Sequence, residues 1–133
     1  MTTDEQPPVS EYKSKRGAQR VVAALCYSIA GFRTAWRSEH AFRQELMLVL
    51  PAVLLALLLP VSALEKLALI AVLVLVLIVE LINSAIEAVV DRVSFESHPL
   101  SKNAKDLGSA AVFLTLALAA ATWLVILLPL LRR

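Results

Sequence analysis

The 133-residue sequence is short of glycine, cysteine and histidine, and each shortage removes a class of function. Glycine occurs only at positions 17, 31 and 108, so there is no Gly-rich phosphate loop of the Walker or the dinucleotide type. Cys26 is the single cysteine and cannot form an internal disulfide. No Cys/His zinc pattern and no Ser-His-Asp or Cys-His pairing is present. The remaining chemistry must come from carboxylates, amides and basic side chains.

Apolar residues dominate the chain, at 59% of the sequence, which is well above the share of a soluble domain. Crossing a bilayer takes about 20 apolar residues, and three segments are long enough: 46–64, 67–90 and 107–131. The first two are joined by a short turn and should form an antiparallel hairpin. The sequence therefore predicts an all-α membrane protein with three transmembrane helices.

The residues before the first span have a different pattern. Positions 17–43 alternate apolar residues with arginines at helical spacing, which predicts an amphipathic helix lying along the lipid headgroups. Residues 1–14 have too little apolar content to fold and are predicted to be a disordered tail, so that 15–133 form the membrane domain. A signal peptide is not expected, because the first forty or so residues are polar and basic.

The distribution of positive charge predicts the orientation. Seven of the thirteen Lys and Arg residues precede the first span, and three more (Arg92, Lys102 and Lys105) lie between the second and third. The positive-inside rule then places the N-terminus and a polar loop at 91–106 on the cytoplasmic side. In a bacterium the chain would be a multi-pass protein of the inner membrane.

The second span ends in a polar stripe. At about 100° per residue, offsets of 0, 3, 4, 7 and 11 fall on one helix face. A carboxylate in the hydrocarbon costs about 2.5–3.5 kcal/mol even on mild scales, so such a stripe should face a polar cavity. Three spans cannot easily enclose it, which predicts a homo-oligomer. The stripe consists of Glu80, Asn83, Ser84, Glu87 and Asp91.

Carboxylates beside an amide suit Mg²⁺, which commonly takes one or two protein carboxylates together with water and substrate phosphates. Glu87 lies nearer the cytoplasmic end, while Glu80 lies two turns deeper, roughly 10 Å along the axis, near the level of a lipid hydroxyl. This favours a metal and phosphate near Glu87 and a general base at Glu80. Arg20 and Lys105 could neutralise phosphate charge. The spacing fits a proton- or cation-translocating oligomer almost equally well, and a structural role is a third possibility.

Three blocks of the sequence resemble the small prokaryotic diacylglycerol kinase family, in the same order and with the same three spans. The likeness runs from about Arg20 to Trp123. The blocks are Ala35-Trp36 with Glu39-His-Ala-Phe-Arg-Gln-Glu45, Glu80-Leu-Ile-Asn-Ser-Ala-Ile-Glu-Ala-Val-Val-Asp-Arg92, and Ala104-Lys-Asp-Leu-Gly-Ser-Ala-Ala111.

The resemblance implies a homotrimeric membrane kinase that transfers the γ-phosphate of ATP to diacylglycerol, with Mg²⁺ as cofactor and active sites shared between subunits. It implies that Glu80 is the catalytic base, that Asn83 lies near the reacting centre, and that Glu39 and Glu87 hold the metal. The implied lipid contacts are Arg20, Glu45, Glu80 and Ser109. The implied nucleotide contacts are Arg20, Tyr27, Glu39, Glu87, Glu96, Ser97, His98, Lys105 and Asp106.

Two features depart from or extend this pattern. The loop Ser94-Phe95-Glu96-Ser97-His98-Pro99 lacks an aromatic beside the histidine, which puts nucleotide stacking there in question. Asp91 is either a site residue or simply the polar end of the span.

Undecaprenol kinase shares the fold and the acidic motif and is the runner-up as a function. The ion-translocating oligomer is the alternative from a different class.

Overall fold

The computed structural model describes residues 17–93 and 98–132. All regular structure in these ranges is helical: α1 spans Ala18–Ser38, α2 His40–Leu58, α3 Ala63–Val93 and α4 Pro99–Leu131. The helices α2, α3 and α4 are each long and apolar enough to cross a membrane. The predicted fold class, an all-α protein with an N-terminal helix and three membrane helices, is confirmed. The tail predicted at 1–14 lies outside the described residues.

The chain forms two compact units, Met1–Thr34 and Ala35–Arg133. In the first unit, α1 is preceded by Gly17, whose φ of 61° lies in the left-handed region that glycine adopts readily. The large apolar side chains of this helix remain exposed, as on a helix whose apolar face meets lipid. They are Val21, Val22, Leu25, Ile29 and Phe32.

The helix predicted at 17–43 is broken at one residue. Glu39 is extended, with φ −101° and ψ 112°, so that α1 ends at Ser38 and α2 starts at His40. The guanidinium of Arg43 donates to the carbonyls of Trp36 at 2.9 Å and Arg37 at 3.2 Å, which satisfies acceptors that the end of α1 leaves free. The break therefore lies at the Ser38–Glu39 step and fixes the start of α2 beside Glu39.

The turn between α2 and α3 comprises residues 59–62 and is held by side-chain hydrogen bonds. The backbone N–H and the hydroxyl of Ser62 donate to Glu65 Oε2 at 2.7 and 2.6 Å, and Glu65 N–H donates back to Ser62 Oγ at 3.3 Å. This reciprocal arrangement is a capping box. Lys66 Nζ donates to the carbonyl of Leu57 at 2.7 Å. Glu65 and Lys66 thus satisfy backbone and capping groups of the turn.

The segment 91–106, predicted as a polar loop, is largely helical. α3 continues to Val93, and α4 already begins at Pro99. Proline suits the first helical position because it has no N–H to leave unpaired. His98 is the N-cap, and its Nδ1 accepts a hydrogen bond from Leu100 N–H at 3.2 Å. The polar residues of this segment therefore belong to α3 and α4, which continue beyond their apolar parts.

The buried positions of α2 and α3 include a seven-residue repeat. In α2 the buried residues are Phe42, Val49 and Ala56, and in α3 Leu69, Val76 and Asn83 lie on the same repeat. This repeat is typical of helices that cross at a shallow angle with interlocking side chains. α3 packs against both neighbours. The polar residues of α3 thus continue the face that its apolar residues use for packing.

Candidate active site

Glu80 and Asn83 are the polar residues that the described part of the chain buries. Their relative exposures are 4% and 9%. One and two turns further on, Glu87 is half-buried and Asp91 is exposed. Along the stripe predicted from the sequence, burial therefore decreases from Glu80, which is buried, to Asp91, which is exposed. Burying a carboxylate among apolar helices is unfavourable, which argues for a functional reason.

Carboxylates from two helices and from the α1–α2 junction come together around Glu80. Glu39 and Glu87 lie close enough for their charges to act on Glu80. Glu80 acts in the same way on Glu45. Glu39 is brought here by the helix break and Glu45 by the first turns of α2, whereas Glu80 and Glu87 share the inner face of α3. Helix periodicity alone cannot link Glu39 and Glu45 to the stripe.

Asn83 connects this cluster to α4. Its Nδ2 donates to Glu87 Oε1 at 3.3 Å. Its Oδ1 is buried without a hydrogen-bond partner among the described residues, and it points at Gly108 of α4. Gly108 is itself buried. The sequence predicts only that the small residues at this point permit close helix contact, and the structure adds which side chain they accommodate.

An apolar cavity of about 240 Å³ lies beside Glu45 between α2, α3 and α4. Two polar atoms in its wall, Glu45 Oε2 and Trp123 Nε1, are buried and have no hydrogen-bond partner in the described chain. A tryptophan N–H that is buried usually finds an acceptor. The sequence does not assign Trp123 a role in the site. The remaining wall residues are Leu48, Val49, Ala52, Leu73, Val76, Leu116, Ala119 and Ala120.

Charged side chains at the polar ends of α3 and α4 are paired. Lys105 Nζ of α4 lies 2.6 Å from Asp91 Oδ1 of α3, so this ion pair bridges the two helices. Lys102 and Asp106 form a second pair within α4. The basic group that the sequence predicts as a phosphate contact, Lys105, is thus held next to the outer end of the acidic stripe.

The other predicted nucleotide and lipid contacts are placed as follows. Arg20 and Tyr27 are exposed on α1 in the first unit. His98 caps α4, and Ser109 is exposed on that helix one position after Gly108. Glu96 and Ser97 lie outside the described residues.

The donor atoms fit Mg²⁺ only if a substrate completes its coordination. Among residues 17–93 and 98–132, no group of three or more Asp, Glu, His or Cys side chains is arranged to hold a metal ion. Mg²⁺ is commonly held by one or two carboxylates, with water and phosphate oxygens as its other ligands. Glu39 and Glu87 supply oxygen donors of this kind.

Fold and site together define a small helical membrane protein with a buried carboxylate–amide cluster next to an apolar cavity. The family model for prokaryotic diacylglycerol kinase matches residues 26–127. The chain belongs to the prokaryotic diacylglycerol kinase family, as the resemblance predicts.

Relatives named diacylglycerol kinase align over nearly their whole length. The protein from Pseudomonas aeruginosa is 55% identical over 119 residues, covering 90% of this chain and 97% of the relative. The protein from Escherichia coli K12 is 50% identical over 111 residues, covering 84% and 91%. The protein from Helicobacter pylori strain 26695 is 42% identical over 123 residues, or 92% of each chain. The residues that the family model matches include Glu39, Glu45, Glu80 and Glu87.

Proposed function

We propose that this protein is an ATP-dependent lipid kinase that phosphorylates the hydroxyl of diacylglycerol to give phosphatidic acid. The observation that carries the proposal is Glu80, a carboxylate that is 4% exposed on a membrane-spanning helix and surrounded by further carboxylates. Family membership and the name shared by the relatives support the reaction and its substrate. The kinase family implies ATP as phosphoryl donor.

In this mechanism Glu80 is the general base. Its carboxylate takes the proton of the acceptor hydroxyl, and the hydroxyl oxygen attacks the γ-phosphorus of ATP. A phosphorus–oxygen bond forms to the lipid, the bond to the β-bridging oxygen breaks, and ADP leaves. A base positioned in this way typically contributes 10²–10⁴-fold. Asn83, one turn from Glu80, lies near the reacting centre.

Glu39 and Glu87 are the proposed ligands of Mg²⁺. When bound with ATP, the ion would neutralise charge on the phosphate oxygens. The two carboxylates come from the α1–α2 junction and from α3, so they reach the site from different elements. The Asn83–Glu87 hydrogen bond supports a fixed orientation for one of them.

The nucleotide is proposed to lie at the polar ends of α3 and α4. Lys105 supplies a cation there, and its ion pair with Asp91 supports a defined position for it. The further proposed nucleotide contacts are Arg20, Tyr27, Glu96, Ser97, His98 and Asp106.

The lipid is proposed to enter from the apolar side of the cluster. The cavity beside Glu45 combines apolar walls with two unpartnered polar atoms, which suits a molecule with hydroxyl or ester groups and acyl chains. Arg20, Glu45, Glu80 and Ser109 are the proposed lipid contacts. The excess of basic residues before the first span supports a cytoplasmic N-terminus and a reaction at the cytoplasmic face.

We also propose a homotrimer with active sites shared between subunits. Many large apolar residues of α2, α3 and α4 are exposed on the single chain. Lipid covers part of this surface, but half-buried carboxylates next to it need a polar partner or an enclosed cleft.

The acceptor is tested by comparing two lipids. Purified protein in mixed micelles with labelled ATP and Mg²⁺ is given diacylglycerol in one reaction and undecaprenol in another. We expect labelled phosphatidic acid in the first and little product in the second. Transfer to undecaprenol alone would assign the chain to the alternative acceptor. Absence of transfer to either lipid would refute the proposed function.

A further inference from the structure

We infer that Gly108 is a positioning residue for phosphoryl transfer: its missing side chain leaves the space in which Asn83 holds Glu87. The inference deepens the proposed function and rests on the proposed role of Glu87 as a ligand of the metal–nucleotide complex. Nothing in the sequence motif alone distinguishes this role from ordinary close packing of small residues.

A backbone requirement does not explain glycine at this position. Gly108 lies well inside α4, where glycine makes a helix less stable than alanine would. Among the described residues the only positive φ belongs to Gly17, so Gly108 has a conformation that alanine adopts easily. Glycine is therefore needed at position 108 because a side chain there would not fit.

The space is occupied by one side chain. A Cβ at Gly108 would lie 2.2 Å from Asn83 Oδ1, 3.3 Å from its Cγ and 3.9 Å from its Cβ. Only the distance of 2.2 Å is sterically impossible, and it involves the terminal oxygen of the Asn83 side chain. The two helices could therefore keep their packing while the Asn83 amide turned away. Alanine at 108 should disturb Asn83 much more than it disturbs the fold.

Turning the amide breaks its bond to Glu87. Asn83 Nδ2 donates to Glu87 Oε1 at 3.3 Å, and this bond fixes which end of the amide faces Glu87, because a carboxylate only accepts. Asn83 is 9% exposed, so the displaced amide has little water to turn to. Glu87 would lose a hydrogen bond that orients it, and metal–nucleotide binding should weaken.

The first experiment compares two glycine-to-alanine variants of the full chain in detergent micelles. Gly108→Ala is the test, and Gly31→Ala is the matched control, because nothing lies within 4 Å of a Cβ at Gly31. Binding of Mn²⁺ together with a non-hydrolysable ATP analogue is followed by electron paramagnetic resonance of the free ion. We expect about tenfold weaker binding in Gly108→Ala, as for loss of a hydrogen bond to a charged group, and native binding in Gly31→Ala.

Activity and stability measurements separate positioning from a packing defect. In Gly108→Ala the KM for Mg-ATP should rise about tenfold while kcat falls by less than about threefold. The unfolding temperature should shift by only a few degrees, because the helix stability gained with alanine offsets part of the cost of the lost hydrogen bond. A large loss of thermal stability that accounts for weaker binding would overturn the inference.

The second experiment removes the atoms that would collide. In an Asn83→Ala background, adding Gly108→Ala should weaken Mn²⁺–analogue binding no further, because Oδ1 is absent. Equal and additive losses in both backgrounds would overturn the inference, as would native binding by Gly108→Ala. These results are independent of the acceptor lipid. If the native chain transfers phosphate to no lipid, the proposed function fails instead, and the kinase assay detects that separately.

Discussion

Among individual residues, Glu80 combines an unfavourable burial with the most direct proposed role in the chemistry. Its carboxylate is almost fully buried on a span whose other residues are mostly Leu, Ile and Val. Removing its charge should relieve an unfavourable burial, so loss of function in a variant of the same size points to chemistry more than to folding. This makes the proposed base unusually easy to test.

Glu80→Gln keeps the size of the side chain and removes its basicity. We expect kcat for phosphorylation of diacylglycerol to fall by about 10²-fold or more, with ATP binding retained. The measurement is the steady-state rate in mixed micelles together with direct nucleotide binding. Glu87→Gln is the matched comparison, and it should weaken binding of the metal–nucleotide complex instead. A near-normal kcat in Glu80→Gln would show that Glu80 is not the base.

Asp91 and Lys105 allow a second test at this level. Both side chains are partly exposed, and exposed ion pairs contribute little to stability. Asp91→Asn should therefore leave thermal unfolding unchanged but release Lys105, raising the KM for ATP about three- to tenfold. Asp91→Glu keeps a carboxylate and should restore most of the affinity. Identical KM values in native protein and Asp91→Asn would mean that Asp91 is only the polar end of α3.

Only part of the site follows from the sequence by physical reasoning. Glu80, Asn83 and Glu87 are found by helical spacing, because their separation along one helix fixes their common face. Glu39 enters through resemblance to the family, since spacing cannot join residues on different helices. Trp123 and Gly108 are missed as site residues, because the residue that each faces depends on how α4 packs against its neighbours.

At the level of the helices, the turn before α3 is held by a defined set of local hydrogen bonds. The Ser62–Glu65 capping box pairs the side chains with backbone groups that the first turn of α3 leaves free. The turn lies at the opposite end of α3 from Glu87, so it offers a perturbation of stability away from the proposed chemistry.

Ser62→Ala removes the capping hydroxyl. We expect it to destabilise the protein by about 1 kcal/mol, the usual effect of losing an N-cap, while KM and kcat remain native. Thermal or denaturant unfolding in detergent measures the first quantity and the micelle assay the second. Ser62→Thr keeps a hydroxyl and serves as the control. Unchanged unfolding in Ser62→Ala would mean that the capping box does not contribute to stability in the micelle.

The ends of the helices are harder to predict from sequence than the helices themselves. Apolar length predicts three spans, and all three are present. The capping box could have been recognised, since serine followed three residues later by glutamate is its sequence signature. The helical character of 91–106 could not be recognised from polarity, because helices that leave the bilayer carry polar residues without ending. Pro99 looks like a loop residue in sequence but occupies the first turn of α4, where proline is well tolerated.

For the molecule as a whole, the single chain leaves most of its apolar surface uncovered. In the most apolar stretches of α2, α3 and α4, only 17%, 17% and 6% of residues are buried within the chain. Lipid tails cover apolar side chains as well as protein does, so this exposure alone does not require an oligomer. The carboxylates favour the proposed oligomer, because Glu39, Glu45 and Glu87 are only half-buried in the single chain and a charge that faces lipid is costly.

The proposed homotrimer, which the resemblance to the family implies, should be the active species. Native mass spectrometry of protein released from detergent micelles is expected to give three chains per complex, and chemical cross-linking in membranes should stop at the same number. Diluting the protein with detergent until it becomes monomeric should abolish phosphorylation of diacylglycerol, because each site needs a neighbouring chain to shield its carboxylates from lipid. Gly31→Ala, which adds a Cβ that has nothing within 4 Å of it in the single chain, should keep both the mass and the activity. A monomeric fraction with full kcat would contradict the shared site, since one chain would then complete the cluster around Glu80 by itself.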